Sequence, residues 1–389
     1  MSDASSRTPP RSSRWSLLLH LFAFVLPVLT ASFWLSAPHS PGAALLWILP
    51  LLALYAVDRL APAERRQPEA HLRNWPYNLQ LYALAAFQLG NHALLIFTAS
   101  KLAMHDAPSS LHTLAMFAAS ALLAGTSSAY AGVSVAHELV HRPRAIEHTL
   151  GRLLLAGVLY EHYSTEHIRG HHVHVGTDAD PATARFGETH WHFVKRTVPA
   201  QFASAWRVEN ARMGKLPRTP FGWLKHRVLQ GMLVEVALLT AITCVFGWIA
   251  LVFFVTQAMI SVLMLETVNY VEHWGLTRRR KKVLPIDSWD TDNAFTLYTL
   301  IGLGRHSDHH AKASRPFQAL HYYAETAQLP SGYYSTLMKA LLRNARYREL
   351  ATAELKRKHL GPFRPENHTA FDAGAGTPEH TIRTNIWAS

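Results

Sequence analysis

The sequence is poor in charged residues and in cysteine. Only 16% of its 389 residues are Asp, Glu, Lys or Arg, and 49% are hydrophobic, whereas about 25% of the residues of a typical soluble domain are charged. This composition excludes a disordered or fibrous chain and argues against an ordinary soluble enzyme. The single cysteine, Cys244, excludes a disulfide framework and any four-cysteine metal site within this sequence.

The sequence contains several long apolar runs with few charged residues. A helix needs about 20 mostly apolar residues to cross a bilayer, and six runs approach or reach that length. A cleaved signal peptide is a weaker interpretation of the first run, which is longer than the usual signal core. The last two runs meet at Gly247 in a tight hairpin. The six predicted spans are 16–36, 43–57, 79–100, 111–136, 228–246 and 248–268.

Acidic residues are also scarce relative to basic ones, with 26 against 38 and a net charge of +12. Such an excess is typical either of nucleic-acid binding or of the cytoplasmic side of a membrane protein. With six crossings, Lys101 is the one basic residue in the loops after the first, third and fifth spans. The positive-inside rule therefore places both termini in the cytoplasm. This distribution favours the membrane interpretation over nucleic-acid binding. We therefore expect a protein of the bacterial inner membrane that binds no nucleic acid.

The predicted fold class is all-α, a bundle of six transmembrane helices with a histidine-rich cytoplasmic region. Residues 1–15 form a cytoplasmic N-terminal segment, and residues 16–360 form the membrane-bound domain. The polar remainder, 361–389, has the composition of a disordered tail.

Histidine is abundant, with 25 residues, and four short segments concentrate it next to carboxylates. These segments are His137–His141, Glu166–His172, Asn269–His273 and Arg305–His310. Residues four positions apart share a helix face, so two imidazoles with that spacing can point at one ion. Repeated pairs are hard to explain as packing, because each buried imidazole needs a partner. The predicted metal ligands are His137, His141, His167, His171, His172, His273, His306, His309 and His310.

The spacing alone leaves the metal and the activity open. Zinc, copper, iron and nickel all suit imidazole ligands. The segment His137–His141 has the H-E-x-x-H pattern of a zinc protease, which would leave the other three segments unexplained. A metal transporter would carry its ligands along a path inside the spans, whereas these lie at or beyond the cytoplasmic ends.

Taken together and in this order, the four segments resemble the integral-membrane alkane 1-monooxygenases, within the larger family of membrane desaturases and hydroxylases that share histidine boxes. The resemblance covers about 45–350. One segment is similar to the motif that separates alkane hydroxylases from desaturases. The matching segments are His137–Arg142, Glu166–His172, Asp180–Ala182, Asn269–Leu276 (the hydroxylase motif), Arg305–Ala311 and Leu329–Tyr333.

This resemblance implies an oxidoreductase with two non-haem irons held mainly by histidine. It implies that O2 is the oxidant and that the terminal C–H bond of a medium-chain alkane or alkyl group is hydroxylated. Electrons would come from a rubredoxin or ferredoxin-type donor with its reductase. Since a rubredoxin site needs four cysteines, we expect the donor to be another protein. Aryl-methyl hydroxylation of the xylene or cymene type and fatty-acyl desaturation remain alternatives with the same di-iron site.

Five further residues next to the predicted ligands are candidates for supporting roles. The carboxylates of Glu138, Glu166, Glu272 and Asp308 could ligate iron or accept the second ring N–H of a ligand histidine, and we favour the latter. Trp274 stands where the family commonly has Tyr, so it could crowd the substrate cavity or anchor the chain at the membrane surface. Asp178 and Asp180 are expected to order the chain after the second segment as turn residues.

Overall fold

The computed structural model describes residues 13–69, 73–105, 107, 110–215, 219 and 221–365. Most of the predicted N-terminal segment 1–15 and of the predicted tail 361–389 lies outside these residues. The described residues are mainly helical. The helices up to the first histidine segment are α1 (Ser13–Leu19), α2 (Val25–Leu35), α3 (Pro41–Leu46), α4 (Leu49–Leu60), α5 (Asn74–His105), α6 (Leu111–Ser127) and α7 (Ser134–Val140).

The rest of the described chain adds ten helices and one small parallel sheet. Strands β1 (Trp289–Asp290) and β2 (Ala327–Gln328) pair with Trp289 opposite Ala327. The helices are α8 (Ala145–Ala156), α9 (Tyr163–Glu166), α10 (His172–His174), α11 (His190–Met213), α12 (Arg227–Ala241), α13 (Gly247–His273), α14 (Ala294–Thr299), α15 (His306–Ala311), α16 (Tyr333–Leu342) and α17 (Asn344–Lys358).

Five helical stretches among the described residues are long and apolar enough to cross a membrane. Four of them contain one predicted span each. The fifth is 47 residues long and contains both of the last two predicted spans. This helical stretch is interrupted at Gly247, where φ is 85°. Glycine adopts this value easily, whereas other residues adopt it only with strain. The five stretches are Arg14–Leu35, Pro41–Leu60, Asn74–Leu102, Leu111–Val140 and Arg227–His273.

The outer faces of these stretches are apolar. Leu46, Leu52 and Leu60 are all exposed on α3 and α4. A large apolar surface of this kind is unfavourable in water but is expected where helices face lipid. The protein is therefore an integral membrane protein.

The longest helix of the second half, α13, packs along both α5 and α6. Phe253 and Phe254 of α13 lie in the same buried cluster as Leu95 and Leu123. The C-terminal part of α13, from Leu265 to His273, is fully buried. This packing places the third histidine segment beside the first, which follows α6.

A buried carboxylate joins the span α4 to the elements that follow the spans. Asp58 Oδ1 accepts a hydrogen bond from Thr296 Oγ1 at 2.9 Å, and its Oδ2 accepts one from the backbone N–H of Ser335, also at 2.9 Å. The backbone N–H of Tyr333 donates to Thr296 Oγ1 at 2.8 Å. These bonds fix the start of α16 and direct Tyr333 toward the end of α13.

Candidate metal centre

The nine histidines that the sequence predicts as ligands come together in two adjacent groups. Within each group, one nitrogen of every imidazole lies within 4.8 Å of a nitrogen of each other member. All members of group 2 are buried, whereas His141 and His172 of group 1 are partly exposed. Group 1 contains His137, His141, His167, His172 and His309, and group 2 contains His171, His273, His306 and His310.

In each group, several ring nitrogens lie within hydrogen-bonding distance of one another. In group 2, His310 Nε2 lies 2.8 Å from His306 Nε2 and 3.2 Å from His171 Nε2. In group 1, His172 Nε2 lies 3.0 Å from His167 Nε2 and 3.1 Å from His309 Nε2. One proton cannot satisfy three converging lone pairs, so a cation between them is the simpler partner.

Three features fit a metal ion in each group. Nitrogens bound at right angles to one ion, each about 2.1 Å from it, are about 3 Å apart, which matches these contacts. His137 Nε2 and His141 Nε2 are buried and have no hydrogen-bond partner among the described residues. Burial, and then neighbouring imidazoles, keep these rings neutral at pH 7, the form that binds metal. This lowers the pKa of His141 to about 3, and it lowers the pKa values of His167, His172, His306, His309 and His310 well below their ordinary value.

The second histidine segment reaches both groups because it is π-helical. Residues His167–His171 form a π turn that leads into α10. A π turn has hydrogen bonds between residues five apart, whereas an α-helix has them between residues four apart. His167 and His172 therefore face group 1 together, while His171 points into group 2. His167 and His171, which are four residues apart, therefore lie in different groups, whereas His137 and His141 lie in the same group.

Two carboxylates contact the ligand histidines of group 2. Asp180 Oδ2 accepts a hydrogen bond from His171 Nδ1 at 2.9 Å, which leaves His171 Nε2 facing His310. Burial would raise the pKa of Asp180, but His171 and Thr183 hold it below its ordinary value. Glu272 Oε2 lies 3.2 Å from His306 Nε2, and its Oε1 accepts the hydroxyl of Tyr333 at 2.7 Å.

The other predicted carboxylates have partners outside the two groups. Glu138 pairs with Arg142 and accepts a bond from the backbone N–H of Phe317. Asp308 pairs with Arg315 and accepts the backbone N–H of His321. Glu166 is fully buried, and its carboxylate lies beside Gly170 and Ser204.

Trp274 packs away from the histidines. Its indole is 1% exposed, its N–H donates to the carbonyl of Glu188 at 3.1 Å, and its ring contacts Phe186 and Tyr347. Burial rules out the anchor at a membrane surface, and the ring does not line the cavity beside the histidines. These contacts favour a packing role for Trp274 over the cavity role that the sequence suggested.

An apolar cavity ends at the two groups. It has a volume of about 30 Å³ and lies between α13 and the helix that carries His137. His137, His306 and Glu272 form its polar end. The other lining side chains are mostly apolar, as expected for an apolar ligand. They include Ala129, Tyr130, Val133, Met264, Leu265 and Val268.

Two residues at the site have roles that the sequence did not reveal. Asp180 was expected to be a turn residue, and it does accept the backbone N–H of Ala182 at 3.0 Å, but its other oxygen orients His171. Tyr333 positions Glu272 from α16. No spacing rule connects either residue to its partner. Irregular chain brings Asp180 to His171, and a tertiary contact brings Tyr333 to Glu272.

Comparison with known proteins agrees with this centre. Alkane 1-monooxygenase 1 of Pseudomonas aeruginosa is 42% identical over 224 residues, and alkane 1-monooxygenase 2 of the same organism is 37% identical over 226 residues. These matches cover 56% and 57% of this chain, and the chain spans 58% and 60% of the relatives' lengths. The xylene/toluene monooxygenase hydroxylase component XylM of Pseudomonas putida is 22% identical over 205 residues, which are 52% of this chain and 55% of that protein.

A family model described as fatty acid desaturase matches residues 112–339. This range contains all nine histidines, Asp180, Glu272 and Tyr333. Because the match covers more than half of the chain and every residue of the two histidine groups, the protein belongs to the fatty acid desaturase family.

Proposed function

We propose that the protein is a membrane-bound non-haem di-iron monooxygenase that hydroxylates the terminal C–H bond of medium-chain alkanes or alkyl groups. The observation that carries this proposal is the pair of histidine groups at the end of an apolar cavity between membrane helices. The similarity to alkane 1-monooxygenases supports it. The overall reaction converts R–H, O2, two electrons and two protons into R–OH and water.

Iron in the two groups would supply the activation of O2, and the chain would supply placement. Asp180 holds the ring of His171 through Nδ1, so that Nε2 faces the centre. Tyr333 holds Glu272 beside His306. Both contacts restrict the orientation of side chains at the metal centre. Residues that hydrogen-bond to metal ligands commonly have this effect.

The cavity would present one end of an extended chain to the centre. Its walls are mostly apolar, and Met264 has a flexible side chain that can move aside for a ligand. An unbranched chain that enters head-first brings its terminal methyl to His137 and His306. We therefore expect primary alcohols as the main products, and mainly subterminal alcohols would contradict head-first entry.

Replacement of ligands tests the function directly. His137→Ala, His171→Ala and His309→Ala should lower bound iron and abolish O2-dependent alcohol formation from octane or dodecane without loss of membrane insertion. His192→Ala is the control, because this side chain is 67% exposed and pairs with Glu188. Full activity in two of the three ligand variants, or zinc in place of iron in active protein, would refute the proposal.

Aryl-methyl hydroxylation is the second candidate, and the similarity to XylM is the observation that favours it. Desaturation of an acyl chain would use the same centre. Incubation of the purified protein and its donor system with octane, xylene and a fatty-acyl substrate separates the three. Predominant alcohol from octane would support the main proposal, and benzylic alcohol or an alkene as the main product would replace it.

We also propose six spans with both termini in the cytoplasm. A helix of 47 residues would extend for about 70 Å, twice the thickness of a bilayer core. The break at Gly247 would let this stretch cross twice, as a hairpin. Reporter fusions after Lys101 and after Leu276 should then report opposite sides of the bacterial inner membrane, and the same side for both would refute this topology.

We propose rubredoxin, with its reductase, as the electron donor, and a ferredoxin-type protein as the alternative. Beside His172, Val173 is 54% exposed and His174 is exposed. Arg278 bonds this segment to the following basic loop, since it donates to the carbonyls of Val173 and Lys281. The loop residues Arg279, Lys281 and Lys282 are exposed. A small acidic redox protein would fit this surface next to group 1.

Charge reversal tests the donor surface. Lys281→Glu with Lys282→Glu should raise the KM for rubredoxin by about tenfold at low salt and much less at high salt, because exposed charges are screened. Turnover with a small chemical reductant should stay unchanged. Lys215→Glu with Lys225→Glu reverses two exposed charges elsewhere and serves as the control. An equal rise in KM in both pairs would contradict this surface.

A further inference from the structure

The helix that leads to the first histidine segment is interrupted by a second π turn. Between α6 and α7, residues Ser128–Val133 are π-helical and all buried. A π turn inserts one residue, so the residues after it are rotated by about 100° relative to an unbroken helix. Ala129, Tyr130 and Val133 of this turn line the cavity, and His137 follows one turn later. The π turn therefore sets both the cavity wall and the direction of His137.

Buried polar side chains of α5 form hydrogen bonds with the start of this turn. The amide of Gln88 bridges two consecutive serines: Ser127 Oγ donates to Gln88 Oε1 at 2.9 Å, and Gln88 Nε2 donates to Ser128 Oγ at 2.7 Å. His92 Nε2 lies 3.0 Å from Ser128 Oγ. All four side chains are at least 93% buried within membrane helices. Polar groups at such depth are costly unless paired, so their pairing fixes the geometry.

The backbone is shaped to admit these side chains. A Cβ at Gly132, inside the π turn, would lie 3.0 Å from Cγ of Gln88. A Cβ at Gly157 would lie 2.6 Å from Cε1 of His92. Gln88 therefore contacts both the start and the far side of the π turn, and a helix shifted by one residue would lose these contacts.

We propose that Gln88 is a positioning residue, which acts with Ser127, Ser128 and His92 to hold the π turn and so determines which carbon of a bound alkyl chain faces the metal centre. This inference rests on the proposed function. The rival explanation is that the cluster contributes to stability alone. The two explanations differ in what happens when Gln88 and both serines are replaced together.

The decisive variant is Gln88→Leu with Ser127→Ala and Ser128→Ala. Gln88→Leu alone removes the partner of the buried Ser127 hydroxyl and leaves Ser128 paired with His92 only, so it should destabilise the protein. Removal of both sides of a buried hydrogen bond, in contrast, is often nearly neutral. The triple variant should therefore regain most of the thermal stability that Gln88→Leu loses, with His92 Nε2 the one polar atom of the cluster that it leaves without its partners. It should still form about tenfold less primary alcohol per bound iron, with a larger share of subterminal alcohols, because small displacements near a reacting atom are costly.

Two controls make this experiment specific. Gln80→Leu removes a side-chain hydrogen bond, to the carbonyl of Leu17, from the same helix α5, and it should keep the parent's products. Ser128→Ala alone leaves Gln88 Nε2 within 3.2 Å of His92 Nε2, so it should insert well and shift the products in the same direction to a smaller extent. If the triple variant does not insert, Ser128→Ala decides the question.

A readout independent of turnover separates this inference from the proposed function. A decyl diazirine photolabel should react with residues such as Val133 and Leu265 in the parent, and this labelling should fall in the triple variant and in Ser128→Ala. Parent-like labelling and products in a folded triple variant, or in Ser128→Ala, would overturn the positioning role. Absence of alcohol from the parent would refute the proposed function, and the labelling would still test the inference.

Discussion

At the scale of single residues, Asp180 combines a local and a remote contact in one carboxylate. Oδ1 closes a turn with the backbone N–H of Ala182, and Oδ2 accepts His171 Nδ1–H. The turn role follows from the residue type and its place before Pro181. The contact with His171 depends on the fold of the eight intervening residues, so the sequence could not reveal it.

Asp180→Ala should weaken metal binding at group 2 by about tenfold to a hundredfold, because His171 loses the partner that orients its ring. A chelator competition measured on the purified protein gives this affinity. Asp178→Ala is the matched control, since Asp178 is exposed two residues earlier. Equal affinities in the two variants would show that Asp180 serves the turn alone.

The packing of Trp274 predicts an effect on stability, whereas its place beside His273 suggested an effect on the substrate cavity. Its buried ring fills space between Phe186 and Tyr347. Trp274→Ala should lower the free energy of unfolding by about 3–5 kcal/mol, as for other large buried aromatic residues, and leave the distribution of products unchanged. Thermal unfolding and product analysis check the two parts. A shift toward subterminal alcohols with unchanged stability would restore the cavity interpretation.

At the scale of elements, the helical spans and the nine histidines were predictable, but the π turns were not. Apolar run length identifies a span, and histidine spacing identifies a ligand segment. A π turn such as His167–His171 depends on tertiary contacts that stabilise one extra residue in the helix. Without it, the assignment of His171 and His172 to different groups cannot be derived from their spacing.

Insertion of one alanine after Ile168 tests the register of the second segment. The extra residue should rotate His171 and His172 by about 100° away from their groups. We expect normal membrane insertion with bound iron reduced about tenfold or more, as when ligands are lost. Ile168→Ala keeps the chain length and should keep the iron. Metal content by mass spectrometry distinguishes the two, and full iron in the insertion variant would contradict the assignment.

At the scale of the whole molecule, the cavity lies among membrane helices while the histidine groups lie where those helices end. Apolar substrate and electrons can therefore approach the centre from different directions. Val268 lines the cavity from α13, whereas Met259 of the same helix is 67% exposed on its outer face.

Val268→Phe should narrow the cavity and lower alcohol formation from dodecane by about tenfold with unchanged iron content, because added volume in a packed wall displaces the ligand. Met259→Phe adds an aromatic ring to the same helix outside the cavity and should have no effect. Gas chromatography of the products together with O2 uptake measures both. Parent-like turnover in Val268→Phe would show that substrate reaches the centre by another route.

Two histidine segments each supply ligands to both groups, and this affects how the two groups bind metal. The second segment supplies His167 and His172 to one group and His171 to the other, and α15 supplies His309 to one and His306 and His310 to the other. An ion that orders either group thereby orders ligands of its neighbour, so the two binding free energies are coupled. Loading should be cooperative: native mass spectra during an Fe²⁺ titration should show empty and doubly loaded protein, with little of the singly loaded form.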